Sequence, residues 1–210
     1  FMPLTMNLRV VSDDDLYRIH ESTIAALQRT GVLFHSDEAI DIFKKHGAKI
    51  DDHVVYIPRQ MLEQTLADAP KVFRWHARNP VKSISVCREQ SRTHVLLDHG
   101  PIFIQDIKTG RRYGKMTDLV NLYRLGQASD VANVIGQIPI DPSDIVKGNK
   151  SMQIMYQLLR NTDKPLMAWP QRSRNNQRLF EMVEIAMDSR GFLLNHPAVG
   201  VSVCALSPMH

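Results

Sequence analysis

Through the first seventy positions the apolar residues recur at helical spacing. Ser12 and the acidic run Asp13–Asp15 precede Leu16, Ile19, Thr23, Ala26 and Leu27, which share one face of an expected helix. Ser12 with Asp15 three positions on resembles a capping box, and Gly31 is placed to end the helix in a left-handed turn. Ser36 opens a second short helix with Ala39, Ile40 and Phe43 inward, closed by Gly47. AKIDDHVVYIP reads as two short strands around Asp51 and Asp52. Pro58 then sits in the first turn of a third helix, where its missing N–H costs nothing, and that helix ends before Pro70.

From residue 71 to about 116 the pattern becomes extended. KVFRWHAR, SISVCRE and THVLLDHG are short, β-branched or alternating runs separated by turn residues. PIFIQD-IKTG-RRYGKM predicts a hairpin with Gly110 taking the positive φ of its turn.

After Thr117 a third regime begins. A helix over 117–129 buries Leu119, Leu122 and Tyr123, and VANVIGQI follows as an apolar strand. The spacing predicts a long helix from Ser143 to Arg160 with Met152, Met155 and Leu159 on one face, then the strand PLMAW. Ser173 is a candidate cap for a helix running to about Ser189, with Leu179, Phe180, Val183, Ala186 and Met187 inward, and AVGVSVCAL is a third apolar strand. Apolar strands alternating with amphipathic helices indicate a parallel sheet covered by helices.

The chain therefore divides into a helical extension over 1–70, a β-rich segment with a hairpin over 71–116, and β/α units over 117–210. The fold class is α/β, and two architectures satisfy the alternation. An open doubly wound dinucleotide fold announces itself by G-x-G-x-x-G after the first strand, and neither that run nor a P-loop occurs. A closed (β/α)8 barrel needs no such signature but takes ~250 residues. The 210 residues and three to four β/α units here make roughly half of one. Phe1 ahead of Met2, and an end just after an apolar strand, lead us to expect a piece of a longer chain.

Composition narrows the class. No apolar run approaches the ~18–20 residues of a membrane span, no secretory signal is visible, and two cysteines fit a reducing cytosol, so a cytoplasmic protein without membrane partners is expected. The net charge of +4 is uneven: residues 1–70 carry 7 Lys/Arg against 11 Asp/Glu, and residues 71–210 carry 19 against 11. The basic clusters at Lys108–Lys115 and Arg160–Arg178 read first as solvated rims of helices and turns, and otherwise as surfaces for an acidic partner, a phosphate or nucleic acid. No nucleic-acid-binding signature accompanies them, and none is expected as a partner.

In either architecture ligands bind at the carboxyl ends of the parallel strands. The residues there are Asp98 and His99, Gln137, Trp169 and Gln171, then Cys204 onward. Asp98 and His99 suit acid, base or ligand roles, or a plain turn. Gln137 and Gln171 suit hydrogen bonds to a polar substrate, or to neighbouring loops. Trp169 offers the aromatic face that receives a quaternary ammonium, or a packing surface. His99 with Cys204 gives two metal ligands at most, fewer than zinc sites usually take from protein, so no metal is expected. There is no G-x-S-x-G, no H-E-x-x-H and no carboxylate pair, so spacing alone specifies no reaction. A metal-dependent lyase or hydrolase, or a non-catalytic binding protein, stays open at this point.

HESTIAALQRTGVLFHSDEAIDIFKKHGAKIDDHVVYIPRQMLEQTLADAPKVFRWHARNP resembles the N-terminal region of the trimethylamine methyltransferase (MttB) superfamily. So, in collinear order, do HGPIFIQDIKTGRRYGKMTDLVNLYRLGQASDVANVIGQI, LLRNTDKPLMAW and VSVCALSPM. The resemblance implies the front portion of a TIM barrel with an N-terminal extension. It also implies transfer of a methyl group from a methylated amine to the cobalt of a corrinoid (cobalamin) carried by a separate cognate protein, with a homo-oligomeric enzyme. Some members of the family contain pyrrolysine and use trimethylamine, while others lack it and demethylate quaternary amines such as glycine betaine. The position where pyrrolysine would fall lies beyond His210.

Overall fold

A computed structural model of the chain describes residues 10–87, 93–97, 99–136, 138–145, 148–169 and 173–203. They form two compact units that divide between Pro70 and Lys71.

In the first unit, α1 (Asp13–Arg29) begins with a capping box. Asp15 N donates to Ser12 Oγ, and Ser12 N donates to Asp15 Oδ2, both at 3.1 Å. The helix buries Ile24, with Leu27 half-buried, while Leu16 and Ile19 are 50% and 58% exposed. The buried face is thus turned from the expected one toward Ile24 and Leu27, and on the same side Glu21 pairs with Arg59 at the start of α3 (Arg59–Asp68). Gly31 ends α1 at φ +73°, where a Cβ would lie 2.7 Å from Val54 Cγ1. After β1 (Val32–Leu33) and α2 (Asp37–Lys45), β2 (Lys49–Asp51) and β3 (Val54–Tyr56) form a hairpin that turns at Asp52–His53, one residue beyond the expected Asp51–Asp52 because Asp51 pairs with Val54, and β3 takes the centre of an antiparallel sheet ordered β1-β3-β2. Pro58 is extended and caps α3 from just outside its first turn.

The second unit is built on a four-stranded parallel sheet, β6 (Val95–Leu96), β9 (Ala132–Gly136), β10 (Leu166–Ala168) and β11 (Val199–Val201). Spatial order follows chain order. The crossovers run through α4 (Met116–Ala128), α5 (Lys150–Asn161), and α6 (Ser173–Ala186) with α7 (Phe192–Asn195). Helix α5 packs between α4 and α6. The described strands are an open sheet, not a closed barrel.

Leu119 and Tyr123 of α4, Ile154, Met155 and Leu158 of α5, and Leu179 and Val183 of α6 bury against Ile135, Leu166 and Ala168 of the sheet. Each such aliphatic side chain contributes about 1.5–3 kcal/mol. Two expectations are corrected here. Phe180 is 39% exposed, because it lies about 100° around α6 from Leu179 at the edge of the buried stripe. Helix α5 begins at Lys150 rather than Ser143: Gly148 sits at φ +120°, outside helical space, and Ser143 N and Oγ both donate to Gly114 O at 2.9 Å. Ile154 and Leu158 accordingly join the inward face foreseen for Met155 and Leu159.

Two antiparallel pairs complete the unit. β4 (Val72–Trp75) pairs with β5 (Ile84–Cys87), and a Cβ on Gly200 of β11 would lie 2.6 Å from Trp75 Cζ2. β7 (Phe103–Asp106) pairs with β8 (Gly110–Tyr113) across a turn in which Asp106 Oδ1 accepts the N–H groups of Lys108 and Thr109 and Gly110 takes φ +71°. The stem of this hairpin is locked to α4 by a bidentate pair, Arg112 Nη1 and Nη2 donating to Asp118 at 2.7 and 2.8 Å, with Lys115 N adding a third bond at 2.9 Å. The guanidinium holds the Asp118 carboxyl below the usual carboxylate range despite its burial.

At the amino ends of the strands a polar cluster stands where a solvated turn is the simplest sequence reading. Lys164 is 8% exposed, and its Nζ donates to the carbonyls of Gly126, Ser129 and Ala132 at 2.9, 2.6 and 2.7 Å. Three acceptors match the three donors of an ammonium, so the protonated form fits the site, while burial draws its pKa below the ordinary lysine value. Next to it Asp163 accepts from Lys82 Nζ at 2.6 Å and Gln127 Nε2 at 2.8 Å, and Arg78 donates to Thr162 O at 2.9 Å. Burial opposes the charged form of Asp163, and these donors still hold its pKa below the usual value. The cluster joins the Arg78-Asn79-Pro80 turn, the end of α4 and the start of β10.

Lys164→Met strands three buried carbonyls and is expected to cost about 2–4 kcal/mol in urea unfolding. Asp118→Asn is expected to cost about 1–2 kcal/mol at pH 7, discounted for the partial exposure of Arg112. Because the folded pKa of Asp118 lies below its unfolded value, its contribution is present above about pH 4 and is lost as the pH falls through the folded pKa. Urea midpoints measured from pH 3 to 7 should therefore show a shallower acid slope in the Asp118→Asn variant.

Candidate functional site

The carboxyl ends of β9 and β10 open onto a cleft of about 340 Å³, near the lower end of the usual range for small-ligand pockets. Its floor is apolar, with Met155 and Leu158 of α5, Ala168 of β10 and Leu179 of α6. Its rim carries the polar and aromatic groups: Gly100, Asp141, Lys150, Ser151 and Trp169.

Each rim group is positioned from the backbone outward. Gly136 ends β9 at φ +135°, and its backbone passes so close to β10 that a Cβ would collide with Met167 O. From Ile138 onward the segment is pinned by the residues that flank the β7–β8 hairpin: Gly100 N donates to Ile138 O at 3.1 Å, Asp141 N to Pro101 O at 2.8 Å, and Met116 N to Asp144 Oδ1 at 2.8 Å. This fixes the Asp141 carboxylate at the rim, where its Oδ1 lies 2.6 Å from Nζ of Lys150, the first residue of α5. Both side chains are more than a third exposed, so the pair is worth about 0–1 kcal/mol to the fold. Its place in the cleft is more informative than its energy. Trp169 follows β10 directly, lines the cleft and is 42% exposed, so a substantial part of this large aromatic residue is left open.

Of the residues singled out from the sequence, Trp169 lines the cleft, and His99 is exposed beside the rim residue Gly100. Asp98, Gln137, Gln171 and Cys204 lie outside the described residues, although Gln137 is flanked in sequence by Gly136 and the rim residue Ile138. Among the described residues no group of three or more His, Cys, Asp or Glu side chains is placed to hold a metal ion. Nor is any described helix long and apolar enough to cross a membrane.

Asp141 and Lys150 escape the sequence pattern. Extending the helix back to Ser143 places Lys150 in mid-helix with no reason to meet Asp141. The signal that would have found them is Gly148 two positions before Lys150, a residue that disfavours a helix running back unbroken to Ser143.

Comparison with known proteins adds an independent line. The chain is 26% identical over 200 residues to a glycine betaine methyltransferase of Desulfitobacterium hafniense (strain Y51), covering 95% of this chain and 41% of that protein. It is 27% identical over 200 residues to the trimethylamine methyltransferase MttB of Desulfitobacterium hafniense (strain DSM 10664 / DCB-2), covering 94% and 40%. It is 30% identical over 162 residues to an L-carnitine:corrinoid methyltransferase of Eubacterium limosum, covering 73% and 31%. The chain thus spans well under half the length of these relatives. The family model for trimethylamine methyltransferase (MTTB) matches residues 4–210. With nearly every residue inside that match, the chain belongs to the trimethylamine methyltransferase (MttB) family.

Proposed function

We propose that the protein of which this chain is part moves a methyl group from a methylated tertiary or quaternary amine to the cobalt of a corrinoid carried by a partner protein, and that the amine binds in the cleft at the carboxyl ends of β9 and β10. The observation that carries this reading is Trp169, an exposed aromatic face on an apolar cleft of small-ligand size. The family membership and the names of the relatives support the reaction class.

For a quaternary donor the chemistry suits so sparse a site; a tertiary amine must first be made cationic at nitrogen for its leaving group to be neutral. When a quaternary ammonium gives up a methyl group, the carbon–nitrogen bond breaks, its electron pair stays on nitrogen, and a neutral tertiary amine leaves. That leaving group needs no proton. The tasks left to the protein are orientation and exclusion of water, which an apolar floor and an aromatic wall perform without acid or base. Replacement of the ammonium's hydration by the Trp169 face is worth about 0.5–2 kcal/mol. Sequential strand order with adjacent crossover helices also fits one arc of a (β/α)8 barrel, which we include in the proposal. Asp98 and His99, which follow β6 in sequence, and Gln137 and Gln171, which follow β9 and β10 in sequence, are proposed as additional substrate contacts.

Full-length protein incubated with cob(I)alamin and a panel of methylated amines is expected to form methylcobalamin, read from its absorbance, with at least one of them. Trp169→Leu is expected to weaken quaternary-amine binding about 3- to 30-fold by calorimetry. Failure to form methylcobalamin with any of the amines would overturn neither fold nor family but would remove the catalytic claim, and unchanged affinity in the Trp169 variant would remove the residue from the site.

A further inference from the structure

We infer that the β7–β8 hairpin is the arm on which the corrinoid-carrying partner docks, its outer face and tip meeting an acidic protein surface beside the mouth of the cleft. The inference rests on the proposed methyl transfer and goes further in giving the partner a surface on this chain.

The hairpin has two unlike faces. On the inner one, Ile104 packs against the core of the second unit and Arg112 pairs with Asp118. The register places Phe103, Gln105, Arg111 and Tyr113 on the outer face. There the Phe103 and Tyr113 rings lie 4.6 Å apart, with the Arg111 guanidinium 4.0 Å from the centre of the Phe103 ring. Tyr113 is nonetheless 59% exposed, and Ile107 at the tip is fully exposed. Aromatic rings and arginine are the groups enriched where protein interfaces gain most of their energy. The turn itself has no use for Ile107, because Asp106 Oδ1 and the positive φ of Gly110 already form it.

The arm is rooted at the cleft. Pro101 O accepts from Asp141 N, Gly114 O accepts from Ser143, and a Cβ on Gly114 would collide with Ile140 Cγ1. Both ends of the hairpin are thus tied to the segment that carries the rim residue Asp141. A corrin ring is too large to enter a cleft of about 340 Å³, so its carrier must present the cobalt at this mouth, next to the arm.

Charge selects the occupant. Residues 101–116 carry Lys108, Arg111, Arg112 and Lys115 against Asp106. No ion pair among the described residues uses Lys108, Arg111 or Lys115. A second copy that met this patch with its own across a two-fold axis would bring like charges together. An acidic carrier is attracted by the same charges, both in approach and once docked.

The test uses the full-length protein, a methylated amine that it turns over, and two acceptors. These are free cob(I)alamin and the corrinoid protein of the same organism, purified by following its bound cobalamin and reduced to cobalt(I). Ile107→Asp and the double variant Lys108→Glu/Arg111→Glu are compared with the native chain and with Ile107→Leu, each checked by thermal unfolding and sedimentation. Both charge-altering variants are expected to lower kcat/KM for the corrinoid protein about 10- to 100-fold and to leave the rate with free cob(I)alamin unchanged. The double variant should also flatten the salt dependence of the transfer, and Ile107→Leu should keep most of the native rate. Native rates with the corrinoid protein in every variant overturn the inference, as do equal losses with both acceptors, which place the hairpin's effect in the cleft or the fold. Variants that unfold at a lower temperature, or that dissociate an oligomer of the native protein, assign the face to the rest of the chain or to a second copy and likewise overturn it. If the native protein methylates neither acceptor with any amine, the proposed reaction itself falls, and the inference with it.

Discussion

One buried charge organises the second unit. The Lys164 ammonium stands inside a ring of three backbone carbonyls contributed by the last turn of α4, the turn after it and the first residue of β9. Helix C-termini leave carbonyls without partners, and burying them without donors is costly. Here a single side chain supplies all three donors, so the end of α4 is stitched to the start of β9 by the residue two positions before β10. Asp163 and Thr162 then draw in Lys82 and Arg78 from the turn between β4 and β5. With these amino ends fixed, the parallel register Leu166 opposite Ile135 follows, and so does the place where the two strands end and the cleft begins.

This gives a division of labour along the strands. The amino ends hold the polar cluster that secures the architecture, while the carboxyl ends hold a cleft with a half-exposed tryptophan and a charge pair that contributes little to the fold. The stretches that carried the family resemblance fall mostly on the first side. Arg78-Asn79-Pro80 and Asn161-Thr162-Asp163-Lys164 meet each other in the amino-end cluster, and Arg112 with Asp118 joins the hairpin to α4. These motifs therefore report how the chain folds more directly than what it binds.

The elements were largely legible because they rest on local chemistry. The capping box of Ser12 and Asp15, the left-handed glycines 31, 47 and 110, and the apolar runs of β9 and β10 are each specified by neighbours in sequence. What escaped depends on contacts distant in the chain. The face that α1 buries depends on the rest of its unit, and Glu21 on it meets Arg59, thirty-eight positions away. The start of α5 is set by Ser143 bonding to Gly114, and the burial of Lys164 by α4. In the cleft, Trp169 was recognisable as an aromatic residue at a strand end, whereas Asp141 and Lys150 become neighbours only once the loop between β9 and α5 is known.

The central claim is that a methylated amine sits against the face of Trp169, and nuclear magnetic resonance of the bound ligand tests it most directly. In full-length protein the N-methyl protons of glycine betaine should move upfield through the ring current of Trp169 and show Overhauser contacts to its indole protons, both absent after Trp169→Leu. N-methyl signals that bind with no upfield shift, or that keep the same shift and contacts in the Trp169→Leu protein, would contradict it.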